Sequence, residues 1–456
     1  MNNQTTTNST SFQPTLLRPS AVLIDGAVTE GLEIEVTEGR ISAIRPTTGP
    51  ENLGGKLLIP GFVNAHSHAF QRGIRGWVQW SSTSDNFWSW RDRMYRLANS
   101  LDPEGVEAVS ALAFLEMLEA GFTAVGEFHY LHHQADGTHW DDKNELAKRV
   151  VNSGRDVGIR VALLRVAYGR AGAGLPPTDQ QRRFCDTGPE AVLSAISELR
   201  RSREVVGDPC VTVGLAPHSV RAVPDSWLRE FAGFDGPIHT HIDEQKGEVE
   251  QSLAEYGKRP CHVFAESGLV TPRFTGVHFT WPDTSEIDLL RSLGGGVCAC
   301  PTTEMDLGDG FLPIERLTGV DLSIGTDSHA RIDPFAEIRA LELHARARLG
   351  RRNVLVTSDD PNALAARLLE VGSLGGAKAL ELNGGRIAVG LDADLVTLSM
   401  VDPPTSTGPV LPNIVFASGP QMVRDVWVAG RQVVQDGQHP HRRRIIDRAK
   451  AALAEA

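Results

Sequence analysis

KLLIPGFVNAHSH, residues 56–68, decides the fold. It runs from apolar positions that suit a buried strand straight into two histidines spaced two apart. The pattern returns seven times: TAVGEFHY (123–130), VGIRVALLRVAY (157–168), VTVGLAPH (211–218), PIHTHIDE (237–244), FTGVHFT (274–280), GGGVCACPTTE (294–304) and VDLSIGTDSH (320–329). Each is an apolar core that ends on polar, chemically capable side chains. A helical stretch separates the first two. Pro103 opens it, Val106, Val109, Leu112, Phe114, Leu115 and Leu118 form its apolar face, and Gly121 stops it where helices commonly end. Alternation of strand-period and helix-period segments marks βα units and a parallel sheet. One such segment would suit many α/β folds. Eight in a row, each with a polar terminus, predict a (β/α)8 TIM-like barrel with its active site at the strand C-termini.

Outside this series the pattern changes. Residues 21–46 alternate apolar and polar side chains, with Asp25-Gly26 and Glu38-Gly39 at turns, as short hairpin strands do. A matching pattern returns in GGRIAVGLDADLVTLSM (384–400) and VRDVWVAGRQVVQDGQ (423–438). The two chain ends are therefore expected to pair into one small β-sandwich domain. The division that follows is a polar tail at 1–15, a β domain from 16–58 and 384–440, a catalytic barrel at 59–383 and a C-terminal helix at 441–456. That helix, with its basic cluster HPHRRR, is expected to pack on the barrel or on a second subunit, and a homodimer is expected.

The 456 residues carry 45 basic and 57 acidic side chains, a formal charge of −12. Nucleic acid and anionic membrane surfaces both call for a basic face, so neither is an expected partner. A small anionic substrate would need a local cationic pocket. The five cysteines are odd in number and form no C-x-x-C pair, which suits free thiols in a reducing cytoplasm. The opening MNNQTTTNSTSF has neither the basic nor the apolar region of a secretory signal.

His66 and His68 share one face of a strand by period-2 alternation, so both imidazoles can reach one ion at a barrel mouth. His241 ends the fifth stretch and Asp327 the eighth. Three imidazoles and a carboxylate suit one divalent metal, Zn²⁺ first, with Fe²⁺ compatible with the same set. Alone, Asp327 could be a solvated loop carboxylate or a helix N-cap, but its place at the end of VDLSIGT favours the ligand role. Glu244, in HIDE, is placed to carry a proton between a water and a leaving nitrogen; a surface carboxylate is the plain alternative. His278, ending the sixth stretch, is the candidate to orient the nucleophile, and a hydrogen-bonded core histidine is its alternative.

Together FVNAHSHAFQRG, HIDE, His278 and GTDSH resemble the amidohydrolase superfamily in its deaminase branch, across essentially the whole chain. The resemblance implies an amidohydrolase-type barrel, and catalytic roles for Glu244, His278 and Asp327. Binuclear members carry a bridging carboxylated lysine on a middle strand. Here the fourth stretch runs on as APHSVR and no lysine ends strands two to six, which implies a single metal. Longer stretches are similar to the formimidoylglutamate deiminases: HSHAFQR (66–72), NFWSWRDRMYRL (86–97), AVGEFHYLHH (124–133), APHSVRAV (216–223), TTEMDLGDGFLP (302–313) and IGTDSHARI (324–332). That likeness implies hydrolysis of N-formimidoyl-L-glutamate to N-formyl-L-glutamate and ammonia, in histidine breakdown.

Such a substrate has two carboxylates and an amidinium-like head, and wants guanidinium forks. Arg221 is the first fork candidate and Arg91 the second, with Gln71, Tyr130 and His218 as neutral partners. For each the plain reading is a surface cation, a packing residue or a structural hydrogen-bonder. Glu304 stands where purine, pyrimidine and triazine deaminases more often have asparagine, and is free to pair with an arginine or with the substrate. Trp281, in HFTW, replaces a second histidine of the family pattern. The alternative function is another deaminase on the same barrel, acting on a guanidino acid, a purine or a triazine. A non-enzymatic scaffold would be expected to have lost these ligands.

Overall fold

The structure, a computed structural model, describes residues 14–79 and 87–455, leaving out the side chains of 87–89. Most of the expected tail and the beginning of NFWSWRDRMYRL lie outside the described residues. Eight parallel strands follow one another in sheet order: β1 (Phe62–Ser67), β2 (Phe122–His129), β3 (Arg160–Ala167), β4 (Val211–Pro217), β5 (Ile238–Ile242), β6 (Phe274–His278), β7 (Gly296–Ala299) and β8 (Asp321–Ile324). The first and last strands meet through a bridge between Ser67 and Asp327. The N–H groups of Thr326 and Asp327 both donate to the carbonyl of His66, and that of His68 donates to Asp327. The barrel is thus closed by the backbone of the residues expected to hold a metal.

The helix between β1 and β2 spans Pro103–Ala120. Asp102 caps it by accepting the N–H of Gly105, proline takes the first turn, where a missing N–H costs nothing, and Gly121 ends it at φ +100°. Its outer side carries the C-terminal helix Arg442–Glu455, through Arg448 to Glu107 and Arg442 to Glu119.

The chain ends form two further sheets. One is three-stranded (15–17, 32–37, 40–46), the other six-stranded, ordered 431–434, 423–428, 395–399, 53–60, 19–24, 27–30. The tight turns at Asp25-Gly26 and Glu38-Gly39 have positive φ at both positions, as the two-residue hairpins of twisted strands require. Leu58, Leu395 and Trp427 join Val22, Ile34 and Val36 in one apolar cluster between the sheets.

Three stretches differ from the sequence expectation. Residues 56–68 are two strands, since Leu53–Pro60 belongs to the six-stranded sheet and only Phe62–Ser67 to the barrel. Gly61 is the joint, and a Cβ there would lie 2.2 Å from Oγ1 of Thr123. In 294–304 the strand stops at Ala299, and Pro301 starts a helix, Pro301–Leu307, that carries Glu304. In 384–400 only Leu395–Ser399 is a strand.

Candidate active site

The C-terminal mouth of the barrel gathers the expected groups. His66 lies within β1 and His68 just past it, their ring centroids 4.7 Å apart. His241 on β5 brings Nε2 to 3.2 Å from Nε2 of His66. Oδ1 of Asp327 lies 3.3 Å from Nε2 of His66 and 3.2 Å from Nε2 of His68. The Nδ1 atoms of His241 and His68 are turned to the carbonyls of His218 and Phe128. If those nitrogens carry the proton, each Nε2 faces inward as a lone pair. Burial holds His66 down to about 3 and pushes His241 well below its ordinary value, so both rings are neutral. Neutral imidazole is the form a metal takes.

The spacing tests whether these residues fit an ion. Four ligands at roughly 2.0–2.2 Å in a tetrahedron lie roughly 3.3–3.6 Å from one another. The three measured separations, 3.2–3.3 Å, are close to that edge. His66, His241, His278 and Asp327 offer ligand atoms all within 4.8 Å of one another, a grouping that takes in His278 rather than His68. The shorter distances favour His68. His278 stands farther off, its Nε2 4.0 Å from Oδ2 of Asp327 and 4.0 Å from Oε1 of Glu244. The residues present fit a single divalent ion.

His278 ends β6 at φ +75°, and its Nδ1 lies 3.4 Å from Oε1 of Glu304. Glu304 also accepts the N–H of Cys300 at 2.7 Å, so it meets a histidine and a backbone amide rather than an arginine. Burial alone would lower His278, but Glu304, Glu244 and Asp327 raise it to about 10. Asp243, His278, Phe279, Asp327 and His329 supply five of the eleven described non-glycine residues with positive φ. Such backbone costs about 1–3 kcal/mol per residue and concentrates where geometry is imposed by function.

A cavity of about 360 Å³ opens onto this cluster. Gln71, Arg91, Tyr130, His218 and Arg221 all line it, with His68, His241, Glu244, His278 and Asp327. Every expected substrate contact therefore faces one space. Nε2 of Gln71 donates to the Tyr130 hydroxyl at 2.7 Å, while its buried Oε1 has no hydrogen-bond partner. Arg91 lies 5.5 Å from the Tyr95 ring. Arg221 donates through Nη2 to Oε2 of Glu244 at 2.8 Å, a pairing that sequence did not indicate. Trp281 stays clear of the histidines. Its Nε1 donates to the carbonyl of Asp309 at 2.6 Å, and Nζ of Lys246 sits 4.3 Å from its ring centroid, so it ties together the loops after β5, β6 and β7.

Sequence reasoning missed the layer behind the ligands. Glu127 accepts the Ser67 hydroxyl and, at 2.8 Å, the N–H of Ala69. His329 meets Ser67 through Nε2 at 3.0 Å and Thr326 through Nδ1 at 2.8 Å, and Asn64 bonds both the hydroxyl and the N–H of Thr326. Groups of this kind fix the orientation of ligands. A charged Glu127 inside an apolar strand was the available signal. Tyr95 and Tyr168, both donated to by Gln181, also line the cavity.

Known proteins match this architecture. The amidohydrolase family matches residues 57–433. Formimidoylglutamate deiminase of Pseudomonas aeruginosa is 40% identical over 415 residues, 88% of this chain and 90% of that protein. The crystal structure of an amidohydrolase from Brucella melitensis superposes with a TM-score of 0.90 at 33% identity, covering 96% of this chain and 99% of that one. An adenosine deaminase from Xanthomonas campestris with bound zinc superposes with a TM-score of 0.80 at 27% identity, covering 96% and 97%. Among the described residues no helix is long and apolar enough to cross a membrane.

Proposed function

The chain belongs to the amidohydrolase family and hydrolyses C–N bonds, and from that premise we propose that it deiminates N-formimidoyl-L-glutamate, giving N-formyl-L-glutamate and ammonia in histidine breakdown. One observation carries the reading: two guanidinium groups, Arg91 and Arg221, share a single cavity with the histidine–aspartate cluster. An acyclic diacid needs such cations. The flat, neutral base of a nucleoside does not. The named P. aeruginosa relative supports the same substrate. The five free thiols fit a reducing cytosol.

We assign the cluster one divalent ion, zinc before Fe²⁺, held by His66, His68, His241 and Asp327. Zinc in the X. campestris structure supports that order. When bound, such an ion acts as a Lewis acid and lowers the pKa of a water toward about 7.

The chain's own groups do the rest. Arg221 and Arg91 hold the carboxylates and so set the amidine carbon over the cluster. Asp327, besides ligating, accepts a proton from the attacking water. His278, braced by Glu304, faces the attacking oxygen and the charge that develops beside it. Glu244 takes the water's other proton and hands it to the departing nitrogen. The C–O bond forms as the C=N π bond opens, and the C–N bond to that nitrogen then breaks as Asp327 passes on its proton, so water and amidine become an N-substituted formamide and ammonia. Each proton-transfer group in such a scheme contributes about 10²–10⁴ in rate.

The test is ammonia release from a panel of amidine and guanidine acids, with the carbon product identified by NMR. One ammonia and one N-formyl-L-glutamate per N-formimidoyl-L-glutamate are expected. Turnover confined to a guanidino acid would overturn the substrate assignment.

A further inference from the structure

Glu248 lies outside the cavity lining, on the first turn of the helix Lys246–Tyr256 that follows β5. It is only 1% exposed. Oε2 accepts the backbone N–H of Glu244 at 3.1 Å. Oε1 lies 4.0 Å from Nε of Arg221 and accepts no hydrogen bond. Since Arg221 also donates to Oε2 of Glu244 at 2.8 Å, the Glu248 side chain touches both the Glu244 backbone and the guanidinium that Glu244 holds.

An acid in the first turn of a helix is often no more than a response to the helix's own N–H groups. That role does not require burial. A buried carboxylate is costly unless a cation and hydrogen bonds compensate it. Arg221 is the one cation within ion-pair reach of Glu248 among the described residues. A glutamine would serve the Glu244 N–H equally well, so what the carboxylate adds lies at Arg221, whose charge offsets part of the burial that pushes Glu248 up to about 7.

We propose that Glu248 is a positioning residue, which fixes the proton carrier Glu244 through its backbone and draws the Arg221 guanidinium against the pull of the Glu244 side chain. The inference rests on the roles proposed above for Glu244 and Arg221. With carboxylates on two sides, the guanidinium keeps one orientation toward the cavity. Without the charge on Glu248, it is drawn toward Glu244 alone, and the site for a substrate carboxylate is displaced.

Two variants of the metal-loaded enzyme separate the two tasks. Glu248→Gln keeps an acceptor for the Glu244 N–H and loses the charge. Its KM for the diacid should rise about 10-fold or more while kcat stays within about 3-fold, inside the ~10² that a 1 Å misplacement costs. Glu248→Ala loses both, and its kcat should also fall about 10-fold or more. On a neutral N-alkylformamidine the KM effect of Glu248→Gln should vanish, whereas the kcat effect of Glu248→Ala should persist. Unchanged kinetics in Glu248→Ala, or a lowered melting temperature with equal kcat losses in both variants, would overturn the proposal. Should the wild type prefer the neutral amidine, the substrate reading fails by itself, and the kcat of Glu248→Ala still decides whether Glu244 is positioned.

Discussion

Buried polar groups are satisfied to different degrees at the barrel mouth and in the terminal sheets. In the sheets each buried carboxylate meets its complement within the chain. Glu33 takes Arg18 and Arg45 at 2.8 and 2.9 Å. Asp425 takes Lys56 at 2.7 Å together with the Thr397 hydroxyl. Where barrel and sheet join, Arg160 spans Asp392 and Asp394 at 3.0 and 2.9 Å. At the mouth, Oε1 of Gln71, Nδ1 of His66, both carboxylate oxygens of Asp243 and one of Asp309 are buried without a hydrogen-bond partner. Unsatisfied buried groups are few in native proteins and call for an explanation. Among the described residues none of them lies in the terminal sheets, and those of Gln71 and His66 border the site proposed for an ion and a substrate, while others are spread through the barrel. The sheets are built for stability, and the mouth is built for what enters it.

That contrast predicts which variants lose activity and which lose stability. The largest loss should come from Asp327→Asn, which removes both a ligand and a proton acceptor. Its kcat should fall by about 10⁴, the upper end for a proton-transfer group, with metal content reduced from one equivalent per chain. Chelation should silence the wild type in the same way, and two tightly bound metals by elemental analysis would contradict the single site.

Glu244→Gln comes next, with about 10²–10⁴ lost in kcat. The metal should be retained, and the protein should stay folded, because glutamine keeps an oxygen that can accept from Arg221. Near-normal turnover would remove Glu244 from the mechanism.

Arg221→Met should cost about 2–5 kcal/mol on the diacid, roughly 30-fold or more in kcat/KM. A substrate with both carboxylates amidated should be nearly indifferent to the change. Equal losses on both would make Arg221 a support of Glu244 alone.

The smallest effect on turnover should come from Arg160→Met, far from the mouth. Breaking a buried pair costs about 3–5 kcal/mol, so the melting temperature should fall while kcat/KM stays within about 2-fold of wild type. A large loss of activity without a change in stability would blur the division drawn here.

The sequence made much of this legible, for a physical reason. Strand-end residues reach the barrel mouth whatever the loops do, so His66, His68, His241, His278 and Asp327 could be placed from spacing alone. Element ends were less legible. The strand through 56–68 breaks at Gly61 because Thr123 leaves no room for a side chain, a tertiary contact that no local pattern carries. The helix at Pro301 was readable from its proline but was masked by the apolar run before it. Contacts between distant strands, such as Glu127 with Ser67 or Arg221 with Glu244, have no signature in spacing. Trp281 reads as a lost histidine in sequence and as a loop tie in space.

The most direct test of the account is a ratio of kcat/KM values, measured as ammonia release by one metal-loaded preparation on N-formimidoyl-L-glutamate and on adenosine. A cavity that pairs guanidinium groups with carboxylates should favour the diacid by about 10⁴ or more, since a site built for polar partners rejects a ligand that lacks them. A ratio near one, or faster turnover of adenosine, would contradict it.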